Sequence, residues 1–265
     1  MDEKLIKEQI CDVCHRMWQL GWVAANDGNI TVKLDDGNFL VTPSGTSKSF
    51  ITPEILIKVD KNGNVLEGPE GYKPSSEIKM HFRCYEKRDD VGAVVHAHPP
   101  VSTAFAVAHI HMDDYIMPES ILTLGSVPIA PYGTPSTNEV PDGIEQFLPE
   151  HDAILLQNHG ALTMGVDLLT AYYRMETLEL WAKISMNARL LGGAKEIERE
   201  EKDRDQETAD KIREIWNNSR QTYGCYRMWK YFREKLNIRV NIKKIRRIMH
   251  KYGISSVIRR RKAYT

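Results

Sequence analysis

The chain has 265 residues, no net charge and 42% hydrophobic residues, so its length and apolar content allow one or two domains with a sizeable core. Its four cysteines, Cys11, Cys14, Cys84 and Cys225, show no spacing typical of a disulfide framework and favour a reducing compartment. No stretch approaches the roughly 18–20 apolar residues of a membrane span, so no membrane partner is expected.

The first predicted element is a helix over residues 2–20, which carry apolar side chains at helical spacing and are followed by Gly21. Inside it, Cys11-Asp12-Val13-Cys14-His15 matches the pattern of c-type haem attachment. That attachment belongs to exported proteins, and the opening residues Met1-Asp2-Glu3-Lys4 have no apolar signal core. We therefore interpret the two cysteines as small buried residues of the helix and expect a cytoplasmic protein.

Three stretches rich in Gly, Ser and Asn follow, each next to a predicted strand or helix. Residues 24–32 run from a tight turn into a strand, and residues 39–42 form its hairpin partner before Pro43-Ser44-Gly45-Thr46. After a connection rich in Gly and Pro, Ser75-Ser76-Glu77 opens a helix whose N–H groups would point outward. Each loop by itself could be an ordinary turn, but together their hydroxyls and amides suit an oxyanion such as phosphate.

A pair of histidines ends the next predicted strand. In Val94-Val95-His96-Ala97-His98-Pro99, two β-branched residues indicate a short buried strand, and residues two apart on a strand point to the same face. His96 and His98 therefore project together, as two imidazoles that share one metal ion would. The triplet alone is a weak indication, because histidines are common on surfaces and in cores.

A third histidine follows another predicted buried strand further along the chain. His159 lies in Gln157-Asn158-His159-Gly160, directly after the strand at residues 153–156. The remaining predicted elements are a helix at 101–108, a strand at 127–130, a loop at 132–135, a helix at 137–148, a strand at 161–164 and a long helix at 167–191.

Together the strand-end histidines and one carboxylate form a plausible metal centre. Neutral imidazoles at His96, His98 and His159 suit zinc and other late divalent ions. A catalytic zinc keeps one position for substrate, so one ligand must be labile. Glu77 is the candidate, because a carboxylate can leave the metal and then act as a base. The alternative is that Glu77 only complements the positive end of the helix dipole.

Five motifs resemble those of the class II aldolase/adducin family in order and spacing. They are Gly28-Asn29, Pro43-Ser44-Gly45, Ser75-Ser76-Glu77, His96-Ala97-His98 and Gln157-Asn158-His159-Gly160. The resemblance covers about residues 1–195 and implies an α/β fold, a three-layer α/β/α sandwich around a central, mostly antiparallel sheet. It also implies a homotetramer with sites between subunits. The positions that match the family's phosphate-binding residues are Asn29, Ser44, Gly45, Ser75 and Ser76.

For the activity, the resemblance implies a metal-dependent carbon–carbon lyase that takes a sugar phosphate. Zinc, or another divalent ion such as Mn2+ or Co2+, would be held by His96, His98, His159 and, at rest, Glu77. The ion would act as a Lewis acid on a ketose phosphate resembling fuculose 1-phosphate, giving an aldehyde and, through an enediolate, dihydroxyacetone phosphate. Glu77 would then manage the proton, and Tyr115 is the nearest match to an assisting tyrosine. A sugar-phosphate dehydratase or epimerase on the same metal site remains an alternative.

The C-terminal part differs from the rest in charge and pattern. Residues 201–265 hold 19 Lys and Arg against seven Asp and Glu, whereas the preceding residues hold 17 against 29. Residues 196–206 are charged and poor in apolar side chains, which indicates a linker or the solvated end of the preceding helix. Short helices then start near Ile212 and Tyr223, and Asn241 caps a third. The predicted domains are therefore 1–195 and 207–265, joined by the linker 196–206.

Residues 207–265 resemble the helix-turn-helix-like segment of insertion-sequence transposases that have an Asp-Asp-Glu core. The resemblance rests on Ser219-Arg220-Gln221-Thr222-Tyr223-Gly224, Ile238-Arg239-Val240-Asn241 and the run to Arg259-Arg260-Arg261-Lys262. It implies a small all-α segment that binds DNA weakly, with phosphate contacts from Lys243, Lys244, Arg246, Arg247, Arg259, Arg260, Arg261 and Lys262. No transposase catalysis is expected, because the sequence stops before such a core. The alternatives are a basic solvated helical hairpin, or a transposase-derived DNA-binding fragment fused to an inactive aldolase domain.

Overall fold

A computed structural model describes residues 2–197, 199–238 and 240–256, apart from the side chains of residues 199–204. The chain forms two units. The first contains Met1–Asp114 and Ser126–Ala194, and the second contains Tyr115–Gly125 and Lys195–Thr265. The basic run from Arg259 to Lys262 lies outside the described residues.

The first unit is built around one mixed sheet. Within the described residues, eight strands pair in the order β4-β3-β2-β1-β5-β8-β7-β6, and every pair except β6–β7 is antiparallel. The strands are β1 Asn29–Lys33, β2 Phe39–Val41, β3 Ile57–Val59, β4 Val65–Glu67, β5 Ala93–Ala97, β6 Ile129–Ala130, β7 Ala153–Leu156 and β8 Gly160–Gly165. The predicted α/β class and mostly antiparallel sheet are confirmed. Strands β3 and β4 were not predicted; all three residues of β4 are exposed, so this strand shows no alternation of buried and exposed side chains.

Helices cover both faces of this sheet. They are α1 Glu3–Gln19, α2 Ile78–Lys87, α3 Pro100–Ala108, α5 Glu139–Glu145 and α6 Leu168–Leu190, whereas the short helix α4 Pro118–Thr123 belongs to the second unit. On one face, Leu162 and Met164 of β8 share a buried cluster with Met80 of α2 and Ile144 of α5. On the other face, the Thr163 hydroxyl donates to the carbonyl of Ala171 in α6 at 2.8 Å. Alternate residues of one strand thus contact two helical layers, as the pleat requires.

The start of α2 lies slightly later than predicted from Ser75-Ser76-Glu77. The helix begins at Ile78, and Glu77 occupies the capping position. The cause is a turn before the helix, in which the Ser75 carbonyl accepts from Ile78 N at 3.3 Å and the Ser75 hydroxyl accepts from Glu77 N at 3.4 Å. Ser75 and Ser76 therefore precede the helix and remain at the surface of a loop.

The haem-like motif lies inside α1, as we interpreted it. Cys11 and Cys14 are buried and free, and burial raises the pKa of Cys11 to about 11 and that of Cys14 to about 12. The Nε2 atom of His15 lies 3.0 Å from the carbonyl oxygen of Ile51. The described helices include none that is long and apolar enough to cross a membrane.

The second unit is helical around a small apolar core. It contains α7 Arg199–Asn218, α8 Cys225–Glu234 and α9 Ile242–Lys251, and its buried residues include Ile212, Met228, Phe232, Ile245 and Ile248. The Asn241 side chain caps α9 by accepting from Lys243 N at 2.8 Å, as expected.

The predicted linker 196–206 differs from what the structure shows. Helix α7 begins at Arg199, and buried Asp205 accepts two hydrogen bonds from the Arg247 guanidinium at 2.7 and 2.8 Å. The linker was predicted from the high content of charged residues. Composition cannot distinguish a buried Asp–Arg pair from charged residues that face solvent.

Candidate metal centre

Three histidines meet at one edge of the sheet. His96 lies on β5, His98 follows the end of that strand, and His159 precedes β8. Strands β5 and β8 pair antiparallel with Ala97 opposite Ala161, so the end of one strand meets the start of the other. One ring nitrogen of each histidine lies within 4.8 Å of those of the other two. The structure therefore brings together the three histidines that the sequence analysis selected.

The hydrogen bonds of two rings determine which nitrogens are available. The Nδ1 atom of His96 lies 2.9 Å from the Ala161 carbonyl, which can only accept, so this nitrogen carries the proton. The Nδ1 atom of His98 faces the Asp27 carboxylate at 3.5 Å, which favours a proton there too. Both Nε2 atoms are then left with lone pairs, and they lie 3.2 Å apart.

This arrangement fits a bound cation. Two lone pairs that face each other at 3.2 Å repel unless a proton or a metal ion lies between them. Tetrahedral zinc with Zn–N bonds of 2.0–2.1 Å separates two nitrogen ligands by about 3.3 Å. Nδ1 of His159 is buried and has no hydrogen-bond partner among the described residues. An imidazole donor set of this kind suits zinc and neighbouring divalent ions.

The environment keeps these imidazoles in the neutral form that binds metal. Burial lowers the pKa of all three, and the neighbouring imidazoles push the pKa of His96 further, well below its usual range. The carboxylates of Asp27 and Glu77 oppose this effect on the pKa of His98 and His159 without reversing it. Protons therefore compete weakly with a metal ion at neutral pH.

Two motif glycines allow the rings to approach the backbone. A Cβ atom on Gly160 would lie 2.4 Å from Cδ2 of His98 and 2.7 Å from the Ala97 carbonyl oxygen. A Cβ atom on Gly28 would lie 2.6 Å from a methyl carbon of Val23 and 3.0 Å from the His96 carbonyl oxygen. Any side chain at either position would displace the strand end that carries the histidines.

The predicted anion-binding loops surround the histidines in one open pocket. All five residues proposed for phosphate line it, together with Asp27, Glu77 and the three histidines; the five are Asn29, Ser44, Gly45, Ser75 and Ser76. Asn29 is 3% exposed, and its side-chain oxygen has no partner among the residues that the structure describes. A buried polar atom without a partner is costly, so this one suits contact with a ligand.

Glu77 differs from the predicted fourth ligand in its contacts. Its Oε1 accepts a hydrogen bond from Ser136 N at 2.6 Å and another from the Ser136 hydroxyl at 3.3 Å. The carboxylate lies in the pocket wall but is not part of the cluster formed by the three histidines. Its role as a ligand at rest remains a prediction.

Sequence reasoning missed two residues of this site, Asp27 and Ser136. Asp27 directly precedes the motif glycine and asparagine, so a carboxylate next to a candidate metal site was a usable signal. Ser136 gave no signal, because its contact spans 59 residues and depends on a backbone with φ of +67°.

Tyr115 belongs to the second unit. There the Arg247 guanidinium carbon lies 5.9 Å and the Lys251 ammonium 5.4 Å from the centre of its ring, within the range of cation–π contacts. Its predicted catalytic role remains a prediction.

The predicted DNA-contacting residues of α9 are partly engaged by the chain itself. Arg247 pairs with Asp205, and the Lys243 ammonium donates to the Thr123 carbonyl at 3.2 Å. Lys244 and Arg246 are half-buried. The sequence could not show these contacts, because a Lys and Arg run looks the same whether or not carboxylates and carbonyls lie against it.

Comparison with known proteins gives two family matches. Residues 8–186 match the Class II Aldolase and Adducin N-terminal domain, and residues 202–262 match an HTH-like domain. An L-fuculose phosphate aldolase of Methanococcus maripaludis is 31% identical over 174 residues, 65% of this chain and 92% of the relative. A 3-oxo-tetronate 4-phosphate decarboxylase of Escherichia coli is also 31% identical, over 69% of this chain and 86% of the relative.

Solved structures show the same likeness. The L-fuculose-1-phosphate aldolase from Thermus thermophilus superposes with a TM-score of 0.63 at 32% identity, over 73% of this chain and 98% of that one. These identities and coverages are sufficient to assign the fold and the family. They do not assign the reaction, because an aldolase and a decarboxylase are equally similar to this chain.

Proposed function

Because the chain belongs to the class II aldolase and adducin family, we propose that it is a divalent-metal-dependent aldolase that cleaves a ketose phosphate similar to fuculose 1-phosphate into dihydroxyacetone phosphate and an aldehyde. The observation that carries this proposal is the approach of the Nε2 atoms of His96 and His98 to 3.2 Å beside His159, while the Nδ1 atom of each ring faces an acceptor. Such a pair is explained by a metal ion, and the surrounding loops are explained by a phosphorylated substrate.

Each group in the pocket has a distinct task in this proposal. His96, His98 and His159 would hold the ion, with zinc as the first choice. When bound, the ion supplies a Lewis acid. The Glu77 carboxylate would exchange the proton at the substrate carbon that cleavage of the C3–C4 bond leaves electron-rich. Asp27 would keep the His98 ring oriented by accepting from Nδ1, as outer-shell carboxylates of metal sites do.

The anion-binding part of the pocket would set the substrate class. Ser44, Ser75 and Ser76 offer hydroxyl donors, and Gly45, with φ of +71°, leaves its backbone open to an approaching oxygen. The space beside the Cα atom of Gly45 is open, with no atom within 4 Å of the position that a Cβ would take, so a ligand oxygen could approach the backbone there. A phosphate ester of a small sugar fits loops of this chemistry better than an unphosphorylated sugar.

Oligomerisation is part of the same proposal. Helix α6 leaves several large apolar side chains exposed, among them Leu169, Tyr173 and Leu180. Exposed apolar clusters on one helix are typical of protein–protein contact. A homotetramer with sites between subunits would bury such surfaces.

The function is tested by incubating the zinc-loaded protein with ketose 1-phosphates and measuring dihydroxyacetone phosphate with a coupled reductase. Aldol cleavage is expected to be fastest with a ketose 1-phosphate whose C3 and C4 hydroxyl groups have the fuculose arrangement. Release of carbon dioxide from a 3-oxo acid phosphate would instead favour a decarboxylase, the reaction of an equally similar relative. A changed hydroxyl configuration or a dehydrated product would favour an epimerase or a dehydratase on the same site.

A second candidate function concerns the C-terminal unit, whose residues 202–262 match an HTH-like domain. We expect weak DNA binding through phosphate contacts, with retention on a DNA column that falls steeply between low and moderate salt. Lys244→Ala should reduce this retention and flatten its salt dependence. The control Lys230→Ala removes the same charge from an exposed position on α8. Retention that does not depend on salt, or equal effects of both substitutions, would contradict DNA binding by α9.

A further inference from the structure

The pocket that we assign to a phosphate has little positive charge of its own. None of the described residues that line it is a lysine or an arginine, and two of them, Asp27 and Glu77, carry carboxylates. The hydroxyls and backbone amides of its loops donate hydrogen bonds but carry no net charge. A phosphate dianion therefore requires positive charge from a metal ion or from a group outside the pocket lining.

A buried lysine binds the backbone of two loops that form the pocket wall. Lys48 is 1% exposed, although lysine side chains are almost never fully buried unless they are paired. Its ammonium group donates to the Thr46 carbonyl at 3.1 Å and to the Asn26 carbonyl at 3.4 Å. Among the described residues these carbonyls are its only hydrogen-bond acceptors, so the charge is solvated but not neutralised.

Both carbonyls belong to loops that line the pocket. Asn26 itself lines it and directly precedes the motif glycine region, and Thr46 directly follows Pro43-Ser44-Gly45, which also lines it. Two carbonyl dipoles from separate loops thus converge on one ammonium group. Burial lowers the pKa of Lys48, and the charge of Asp27 opposes this effect. A phosphate group in the pocket would act in the same direction as Asp27.

We propose that Lys48 is a positioning residue for the phosphate group of the substrate, which joins the two anion-binding loops and supplies the positive charge that the pocket lining lacks. The inference rests on the proposed function, because that function assigns the loops to a phosphorylated substrate. Lys48 does not line the pocket, so it acts through the loop backbone and through its electric field rather than by contact with the phosphate.

Lys48→Met tests this role because it keeps nearly the same shape and removes the charge and both hydrogen bonds. Replacing a buried charged side chain by an apolar one is often neutral for stability, so the variant should fold. In the zinc-loaded protein, we expect the dissociation constant of inorganic phosphate, measured by phosphorus NMR, to rise about tenfold. Zinc content should not change. Lys61→Met is the matched control, since it removes the same charge from an exposed position outside the pocket.

An uncharged ligand separates an effect on the anion from a general loosening of the loops. Binding of dihydroxyacetone, measured by calorimetry, should change by less than about twofold in Lys48→Met, because this ligand carries no phosphate. With a cleavable ketose phosphate, the KM should rise about tenfold while kcat stays within about twofold, since the phosphate is bound equally in the ground state and the transition state.

Lys48→Arg keeps the positive charge and the donors. It should bind phosphate at least about three times more tightly than Lys48→Met, even if the larger guanidinium disturbs the loops. If methionine prevents folding, Lys48→Gln provides the same comparison, because it loses the charge and keeps a donor.

Three results would overturn the role of Lys48. They are unchanged phosphate affinity in the uncharged variants, an equal loss of affinity for phosphate and dihydroxyacetone, and loss of zinc together with phosphate. Failure of the unmodified zinc-loaded protein to bind phosphate would overturn both this inference and the assignment of the loops. If phosphate binding depends on Lys48 but no ketose phosphate is cleaved, the proposed activity fails and the role of Lys48 stands.

Discussion

Glu77→Gln is expected to keep its bound zinc and to lose proton exchange between dihydroxyacetone phosphate and solvent by roughly 10²–10⁴-fold, the range of a positioned acid–base group. The glutamine side chain has the same shape as glutamate. Its amide oxygen can still accept the hydrogen bond that Ser136 N donates to the Glu77 carboxylate at 2.6 Å in the unmodified protein. An amide cannot carry the proton between carbon and solvent. Metal retention follows because the three histidines form the cluster without Glu77.

The measurement is deuterium incorporation into dihydroxyacetone phosphate in heavy water, followed by NMR, with zinc content determined on the same sample. Glu54→Gln is a matched control, because it makes the same change at an exposed position outside the pocket. Exchange at the rate of the unmodified protein in Glu77→Gln would remove Glu77 from the base role. Loss of zinc together with exchange would instead make Glu77 a ligand, as the sequence analysis expected.

The central part of the site could be predicted because it depends on local geometry. The alternation of a strand places His96 and His98 together, and a buried strand before His159 places it at a comparable strand end. The register of β5 with β8 is a tertiary fact, yet the family motifs were sufficient to anticipate its result. A glycine beside His159 is expected where groups approach closely, and the structure identifies the neighbour: a Cβ on Gly160 would lie 2.4 Å from Cδ2 of His98.

The contacts of charged side chains could not be predicted in the same way. Glu77, Asp205 and Arg247 each have several partners that their local sequence permits equally well. In the structure, Glu77 accepts a hydrogen bond from Ser136, 59 residues away in the sequence. Arg247 pairs with Asp205, which lies in the stretch that composition predicts to be a linker. Such choices depend on which backbone groups lie unsatisfied nearby, and these are set by the whole fold.

Two residues of the second unit, Tyr115 and Arg247, also have contacts that the sequence could not predict. Tyr115 was selected as an assisting tyrosine and Arg247 as a DNA contact, and the guanidinium lies 5.9 Å from the centre of that ring. A side chain that stacks on Tyr115 and pairs with Asp205 has much of its charge satisfied. DNA binding through Arg247 would therefore have to replace contacts that already exist, which is a further reason to expect low affinity.

His96→Ala is expected to abolish stoichiometric zinc binding, and with it aldol cleavage. The Nε2 atom of His96 faces the His98 ring at 3.2 Å, while Nδ1 of His96 lies 2.9 Å from the Ala161 carbonyl, which accepts its proton. Removing one of three neutral ligands should lower zinc affinity by more than about 100-fold, because substitution of outer-shell partners alone costs up to that amount. Metal content per chain by elemental analysis, beside circular dichroism to confirm folding, is the measurement.

The control for this experiment is His111→Ala, which removes an exposed imidazole outside the cluster. Because His96 is 1% exposed, its removal also leaves a small cavity, so His98→Ala, at a less buried ring, provides an independent test. Close to one zinc per chain in the unmodified protein and in His111→Ala, with loss in both site variants, would establish the centre. Equal zinc in all four proteins would place the metal elsewhere. Absence of zinc from all of them, even after its addition, would mean that the three histidines meet for packing alone and that the aldolase domain is inactive.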